Sequence, residues 1–346
     1  VMLFGRDVVP CTLLGIDASN VTYGHRFMAP RGFKVTSPAA YLNTLRRRGR
    51  VLADPIERRE MIRAGSAELG ERNGGKTVIA EDLLGEVTAL VEWPVPLIGR
   101  FDEGFLELPE EVLIATLQDH QRYFPVRDAD GALLPCFVTV SNIESKEPEK
   151  VIAGNERVVR PRLADAAFFW KTDRQRTLAS RNEALRRVTY QSKLGTLHDK
   201  AERVGGLAVG LAAVVGGDAQ LAGRAAVLAK CDLLTQMVGE FPELQGIMGY
   251  YYAVHDSEPQ EVAVALREQY LPRFAGDELP ATPTGMALAI ADRIDTIAAI
   301  YATGQKPSGT KDPFGLRRAA LGLLRVAIER AVDLDLTRLI NQALAA

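Results

Sequence analysis

The chain has 346 residues, of which 47% are hydrophobic and 25% charged, the proportions of an ordinary globular protein. At roughly 150 residues per domain, this length predicts two domains. The formal net charge is −2 and the sequence pI is about 6.2, which excludes a global basic field. Any contact with nucleic acid therefore depends on local basic patches.

The cysteines and apolar stretches bear on the cellular compartment. Cys11, Cys136 and Cys231 lie far apart and form no CxxC pair, which argues against a disulfide framework or a structural zinc site and suits a reducing cytoplasm. The longest strongly apolar stretch, Leu207 to Val215, is interrupted by a glycine and is too short to span a bilayer. No signal peptide is visible, and the abrupt start at Val1 predicts a fragment of a longer cytoplasmic protein with no membrane partner.

The first half predicts mixed helix and strand. Val1 to Phe4 and Val8 to Ile16 are apolar runs separated by hairpin-like punctuation. Ser37-Pro38 and Asp54-Pro55 each place an N-cap and a first-turn proline before a predicted helix. The further elements expected here are helices over Ala39 to Arg48, Ile56 to Leu69 and Pro109 to Gln118, and strands over Leu90 to Ile98 and Leu134 to Ser141.

From about Arg176 onward, apolar residues recur at helical spacing with few β-branched runs. We expect domains 1–175 and 176–346, and an α+β fold class in which a mixed α/β domain precedes an all-helical one. The long stretch Thr303 to Pro313 is expected to be an exposed loop. The helices predicted in this half are Leu178 to Val188, His198 to Val215, Leu221 to Val238, Val262 to Tyr270, Pro283 to Tyr301 and Leu316 to Arg330.

Few residues are typical of catalysis. The four histidines are isolated from one another, and no HExxH, GxSxG or Walker-type motif is present. The glycine-containing stretch Gly304 to Lys311 follows a predicted helix instead of a strand, which is the wrong context for a phosphate loop. The sequence therefore predicts no catalytic residue and no metal ion.

One constellation in the second half resembles the HD phosphohydrolase superfamily, whose helical core binds a divalent metal through His, His-Asp and a distant Asp. Asp232 and Asp292 would take the two aspartate positions, but Cys231 stands where the superfamily has histidine. Two carboxylates without a dependable imidazole leave a metal ion short of ligands. The resemblance thus implies an HD-like fold with degenerate positions at Cys231, Asp232 and Asp292, and argues against the activity.

Residues 157–187 are strongly basic, with nine basic against three acidic side chains and a local charge of +6. Arginine and lysine neutralise phosphates, and the neighbouring aromatic residues Tyr123, Phe168, Phe169 and Trp170 could stack on unpaired bases. Alternatively, the aromatic residues are core and the charges form a solvated face. The basic residues are Arg157, Arg160, Arg162, Lys171, Arg174, Arg176, Arg181, Arg186 and Arg187.

A second basic group, Lys306, Lys311, Arg317 and Arg318, lies on the long loop and at the start of the next helix. Backbone N–H groups at a helix N-terminus and its dipole favour a phosphate. An ordinary loop and helix cap explain the same residues equally well.

Several stretches together resemble the β subunit of the bacterial two-subunit glycyl-tRNA synthetases. Each is only moderately specific, but in this order, over nearly the whole chain, they are strongly specific. They are Gly24 to Phe27, Leu90 to Pro94, Gln121 to Val126, Asn142 to Ser145, Gly154 to Ala166, Lys230 to Leu233, Gln245 to Gly249, Gln269 to Asp277 and Lys311 to Ala320.

The resemblance implies a first domain similar to the B3/B4 domain of phenylalanyl-tRNA synthetase β chains and a second, HD-like domain, with the family's anticodon-binding domain absent from this stretch. It implies a tRNA-binding role in glycine–tRNA ligase, with the α subunit as partner in an α2β2 assembly. ATP and Mg²⁺ would act in the α subunit, so no cofactor is expected here. The phosphate contacts suggested by charge clustering are Arg157, Arg160, Arg162, Arg174, Lys311, Arg317 and Arg318.

Two other activities stay open at this point. The first is a metal-dependent HD phosphohydrolase that uses Asp232 and Asp292. The second is editing of mischarged tRNA, which B3/B4-type domains perform elsewhere. The need for editing is less obvious for glycine, because larger competitors can be excluded by size.

Overall fold

The computed structural model describes residues 1–345 and divides the chain into two units, Val1–Ala167 and a second that begins at Phe168. The division falls within a helix, some residues before the boundary expected at 175. The architecture combines helices with small antiparallel sheets, as the α+β prediction requires. No helix within residues 1–345 is both long and apolar enough to cross a membrane.

The first unit begins with three two-stranded antiparallel pairs. These are β1 (Leu3–Phe4) with β2 (Asp7–Val8), β3 (Thr12–Leu13) with β4 (Ile16–Asp17), and β5 (Val21–Thr22) with β6 (Phe33–Lys34). The hairpin around Gly5 is confirmed. The run from Val8 to Ile16 is not one strand but contains the end of β2, all of β3 and the start of β4. Leu14 and Gly15 both adopt positive φ and turn the chain between β3 and β4.

A four-stranded antiparallel sheet forms the core of this unit. Its strands are β7 (Lys76–Thr77), β8 (Val95–Arg100), β9 (Phe124–Arg127) and β10 (Leu133–Ser141), in the order β7-β9-β10-β8. Val138 of β10 pairs with Ile98 on one side and with Phe124 on the other. Ile62 and Leu84, from two helices, pack with Phe124 and Val138 in one buried cluster.

The helices of the first unit are α1 (Tyr41–Thr44), α2 (Pro55–Arg72), α3 (Glu81–Leu90) and α4 (Glu110–Ala115), and α5 (Pro148–Asp173) continues into the second unit. The strand predicted over Leu90 to Ile98 starts later than expected. Leu90 is the last residue of α3, and the strand, β8, begins at Val95. Helix α5 has no counterpart among the predicted elements, since Pro161 lies in its interior and obscures the helical pattern.

Two expected N-caps behave differently. Asp54 accepts a hydrogen bond from the backbone N–H of Ile56 at 2.8 Å, as predicted for the start of α2. Ser37 occupies the N-cap position before a short helical turn, Pro38–Ala40, but its side chain makes no capping hydrogen bond.

The helices of the second unit are α6 (Leu197–Ala212), α7 (Ala219–Leu228), α8 (Gln236–Glu240), α9 (Ile247–His255), α10 (Gln260–Glu268), α11 (Pro283–Ala302), α12 (Leu316–Glu329) and α13 (Leu336–Ala345). Much of the buried surface of α6, α7 and α11 is alanine, including Ala208, Ala225, Ala226 and Ala291. Small side chains let helix backbones approach closely, so this core is built mainly by helix-to-helix packing.

Three predictions for this half need correction. A hairpin, β11 (Thr189–Gln191) with β12 (Gly195–Thr196), means that the half is not all helical. The helix predicted over Leu178 to Val188 is a 3₁₀ helix, Ala179–Arg187. The helix predicted over Leu221 to Val238 ends at Leu228 and is followed by a 3₁₀ turn and by α8, because the polar residues between them are buried and bonded to distant parts of the chain.

Candidate functional site

A buried polar centre lies among α6, α11 and the turn after α7. Lys200 Nζ is 2.9 Å from Asp295 Oδ2 and 3.4 Å from Asp292 Oδ1. Lys230 Nζ is 3.2 Å from the same Asp292 oxygen and donates to Gln269 Oε1 at 2.8 Å. Both lysines are buried. Two ammonium groups therefore share the carboxylate that the HD resemblance assigned to a metal ion.

The charges of this centre are mutually stabilising. Burial alone would raise the pKa of Asp292, but Lys200 and Lys230 outweigh it and hold that pKa below its usual value. Burial likewise opposes the charged form of Lys200, yet Asp292 and Asp295 raise its pKa overall. Arg203 adds a further cation, with its Nε 2.6 Å from Asp295 Oδ1. Asp292 thus stays ionised at neutral pH and is already neutralised by the chain's own side chains.

The other two HD-like positions are also buried. Burial raises the pKa of the Cys231 thiol to about 12, and the thiol donates to the Val227 carbonyl at 3.4 Å. Burial raises the pKa of Asp232 to about 6, against the opposing effect of hydrogen bonds from backbone N–H groups. A protonated thiol is a poor metal ligand. Across residues 1–345, Cys231, Asp232 and Asp292 do not form a group close enough to hold one ion.

Gly246 explains one of the family-like stretches. Its N–H donates to Asp232 Oδ2, and its φ is +79°, a conformation that favours glycine. A Cβ at this position would lie 2.6 Å from the Tyr270 ring and 2.8 Å from the Leu266 carbonyl. The close packing of the Gly246 backbone against Tyr270 and Leu266 therefore requires glycine, and the hydrogen bond from Gly246 holds the Asp232 carboxylate in place.

A cavity of about 620 Å³ lies beside the polar centre. Arg293, buried in its wall, donates to the backbone carbonyls of Ala289, Gln269, Tyr270 and Pro272, so it is a structural residue. The remaining basic side chains of the lining belong to Arg273 and Arg318, and Asp292 lies in the same wall. The cavity therefore combines basic groups with a neutralised carboxylate, a composition suited to an anionic ligand.

The start of α12 corrects one expectation for the second basic group. Asp312 accepts hydrogen bonds from the N–H groups of Leu316 and Arg317, both at 2.9 Å. These bonds lower the pKa of Asp312, which is therefore ionised. The helix N-terminus that was considered for a phosphate already holds a carboxylate. The side chains of Lys306, Lys311, Arg317 and Arg318, all exposed, remain available for such contacts.

The first basic group divides into two kinds. Arg157, Arg160 and Arg162 are exposed on α5. Arg181, by contrast, is buried, pairs with Asp173 at 3.7 Å and donates to three backbone carbonyls, so it belongs to the core. Because Arg181 and Asp173 are buried together, the other side chains of residues 157–187 still carry a local charge of +6, from eight basic and two acidic groups.

The aromatic residues divide in the same way. Tyr123 is buried and stacks on Phe137 with ring centroids 4.7 Å apart, so it is core. Trp170 lies against Tyr252, and the Arg174 guanidinium sits 4.8 Å above the Trp170 ring while it contacts His255 Nδ1. Phe168 is the exposed aromatic of the group, at 61%.

Taken together, these features define an α+β protein with an exposed basic surface and a polar centre neutralised by lysine side chains. Comparison with family models supplies the family. The model described as "Glycyl-tRNA synthetase beta subunit" matches residues 1–346, and the chain belongs to that family.

Curated relatives agree with this assignment. The chain is 56% identical over 343 residues to a protein of Pseudomonas aeruginosa (strain LESB58) and 57% identical over 345 residues to one of Chromohalobacter salexigens. Both relatives are named glycine–tRNA ligase beta subunit. The matches cover 99% and 100% of this chain but 50% of each relative, so the chain spans about half the length of the curated relatives it matches.

Proposed function

We propose that this chain is a tRNA-binding part of the β subunit of glycine–tRNA ligase and supports the ATP-dependent attachment of glycine to tRNA(Gly) in the cytoplasm. The α subunit is the partner, in an α2β2 assembly, and it carries the ATP and Mg²⁺ chemistry. No residue of this chain is assigned to catalysis. Membership of the β-subunit family is the observation that carries the proposal.

The surface chemistry supports the tRNA contact. Arg157, Arg160 and Arg162 project from one long helix, and Lys311, Arg317 and Arg318 cluster at the start of another. Guanidinium groups pair with phosphate oxygens in a bidentate manner, which suits an exposed surface that follows a nucleic-acid backbone. Arg174 is a different kind of candidate, because its guanidinium already lies over the Trp170 ring and contacts His255.

The polar centre weighs against the metal-dependent phosphohydrolase. Lys200 and Lys230 neutralise Asp292, and a divalent ion would have to displace or repel both ammonium groups. Cys231 stands in the histidine position with its thiol protonated at neutral pH. An enzyme of that kind needs an ion that activates a water molecule, and these residues provide no set of ligands for it.

The test is binding of the chain to tRNA(Gly) and to a non-cognate tRNA across a salt series. We expect salt-dependent binding with a preference for tRNA(Gly). Replacing Arg157 and Arg160 together by alanine should lower the slope of log affinity against log salt by about two, or about one for each phosphate that is no longer neutralised. Arg6→Ala with Arg31→Ala is the matched control, because both arginines are exposed and the charge change is equal.

Two outcomes would contradict the proposal. Absence of binding even at low salt would mean that tRNA is held by other parts of the β subunit or by the α subunit. An unchanged slope in the Arg157 and Arg160 variant, or an equal decrease in the control, would mean that this face of α5 does not touch phosphate.

A further inference from the structure

The first turn of α6 carries a group of polar side chains that the tRNA-binding proposal does not use. His198, Asp199 and Glu202 each offer one ligand atom, and these atoms all lie within 4.8 Å of one another. His198 is only 6% exposed, and its Nδ1 atom is buried without a hydrogen-bond partner among the described residues. Buried imidazole nitrogens are normally paired, so this atom points to a missing ligand.

The spacing within the group fits a metal ion better than a direct hydrogen bond. His198 and Glu202 are four residues apart on one helix and therefore share a face. His198 Nδ1 lies 3.6 Å from Glu202 Oε2, which is beyond the range of about 2.7–3.2 Å for an N–H···O hydrogen bond. Zinc–ligand bonds of about 2.0–2.2 Å in tetrahedral geometry place neighbouring ligand atoms about 3.4 Å apart. The 3.6 Å between His198 Nδ1 and Glu202 Oε2 is close to this ligand-to-ligand distance.

Asp199 is held in place by the preceding loop. Its Oδ2 accepts hydrogen bonds from Thr196 N at 2.7 Å and from Thr196 Oγ1 at 2.8 Å. These bonds fix the orientation of the carboxyl group. Carboxylates that bind metals are commonly oriented by such hydrogen bonds. The capping interaction that starts α6 therefore also positions a ligand.

We propose that His198, Asp199 and Glu202 form a binding site for a divalent transition-metal ion, with Zn²⁺ as the best match. One imidazole and two carboxylates suit zinc, whereas Mg²⁺ and Ca²⁺ prefer oxygen ligands alone. A neutral imidazole with two carboxylates cancels the charge of the ion. Asp199 and Glu202 line a cavity of about 620 Å³, which gives room for a water molecule as the fourth ligand.

This site differs from the two metal arrangements considered from the sequence. It contains no cysteine, so the absence of a CxxC pair does not bear on it. It also lies apart from the HD-like positions, because none of Cys231, Asp232 and Asp292 belongs to the group. The residue that reveals it is His198, whose burial could not be read from the sequence.

The test uses the chain after removal of metals with a chelator. Titration with Zn²⁺ in competition with a chromophoric indicator should show one tight equivalent, and Co²⁺ should give the visible absorption bands of a four-coordinate ion. Glu202→Gln and His198→Gln should each weaken Zn²⁺ binding by at least about tenfold. His255→Gln is the control, since His255 is exposed on another helix and should leave the affinity unchanged.

Thermal unfolding followed by circular dichroism separates removal of a ligand from misfolding. The Glu202 side chain is 65% exposed, so Glu202→Gln should unfold at the wild-type temperature without metal. Zn²⁺ should raise the unfolding temperature of the wild type but not of this variant. The proposal is overturned if the wild-type chain binds no equivalent of Zn²⁺ or Co²⁺, or if Glu202→Gln and His198→Gln bind Zn²⁺ as tightly as the wild type.

Discussion

Lys200 and Lys230 supply the positive charge that neutralises the Asp292 carboxylate. An ammonium group neutralises a carboxylate through hydrogen bonds, but it does not lower the pKa of a bound water molecule enough to make hydroxide. The Lys200–Asp295 and Lys230–Gln269 contacts join residues far apart in the chain. The polar centre therefore fixes how the helices of the second unit pack against one another, and its net effect on stability depends on every partner being present.

Asp232 gives a test at the residue scale. Burial raises the pKa of its carboxyl to about 6, above the ordinary value near 4, so the folded state holds the proton more tightly than the unfolded state. The free energy of unfolding should therefore fall as pH rises through this range and stay lower above it. Between about pH 5 and about pH 7.5, the free energy of unfolding of Asp232→Asn should rise relative to that of the wild type by on the order of 1 kcal/mol.

The measurement is the unfolding temperature of both proteins across that pH range. The Asp232 Oδ1 atom is buried without a partner among the described residues, so placing an asparagine amide there has an energetic cost of its own. That cost does not vary with pH. Asp333→Asn, at an exposed position, should follow the wild-type curve throughout. A constant difference between Asp232→Asn and the wild type would show that the carboxyl does not titrate in this range.

At the scale of the elements, helix starts decide which polar groups remain available to ligands. Asp312 fills the N-terminus of α12, so the nearby arginines must act through their side chains. Asp199 belongs to the capping box of α6, whose N-cap is Thr196, and also stands in the proposed zinc site. An aspartate at a helix start therefore occupies the N-terminus of α12 but also supplies a proposed metal ligand at α6. The neighbouring side chains distinguish the two cases.

Asp54 and Ser37 form a matched pair for testing caps. Both precede a proline that begins a helical segment, but only Asp54 accepts a backbone hydrogen bond. Asp54→Ala should lower the free energy of unfolding of the first unit by about 1 kcal/mol. Ser37→Ala should change it little, because the Ser37 side chain makes no capping bond. Denaturant unfolding of the two variants provides the comparison, and equal effects would mean that the Asp54 bond contributes nothing.

At the scale of the whole molecule, a net charge of −2 provides no general attraction for nucleic acid. Binding then has to rest on separate basic groups, one on α5 in the first unit and one at the start of α12 in the second. Each group should contribute its own share of the counterion release that accompanies phosphate contact.

This expectation is tested by combining variants. Replacing Arg157 and Arg160, or Arg317 and Arg318, by alanine should each lower the salt slope of tRNA(Gly) binding by about two, and the fourfold variant should lower it by about four. Slopes are measured by fluorescence anisotropy across a salt series. A fourfold variant no different from one of the pairs would mean that only one basic group touches the tRNA.

Local signals in the sequence predicted a large part of this structure. The strand at Leu134 to Ser141, the cap at Asp54 and helix α11 follow from patterns that lie within a few residues of each other. The ordered series of family-like stretches was sufficient for the family, which the family model confirms over the whole chain. The individual phosphate contacts remain predictions, because charge clustering shows which side chains are basic but not what they meet.

Tertiary structure decided the features that depend on distant partners. The chain breaks after α7 because Lys230 is bonded to Gln269 and Asp292, and Asp232 to Gly246, none of which a local pattern connects. Burial of Arg181 and His198 likewise depends on how remote helices pack around them. Periodicity and capping are local and so can be read from the sequence, whereas desolvation and ion pairing are set by neighbours in space and appear only once the chain is folded.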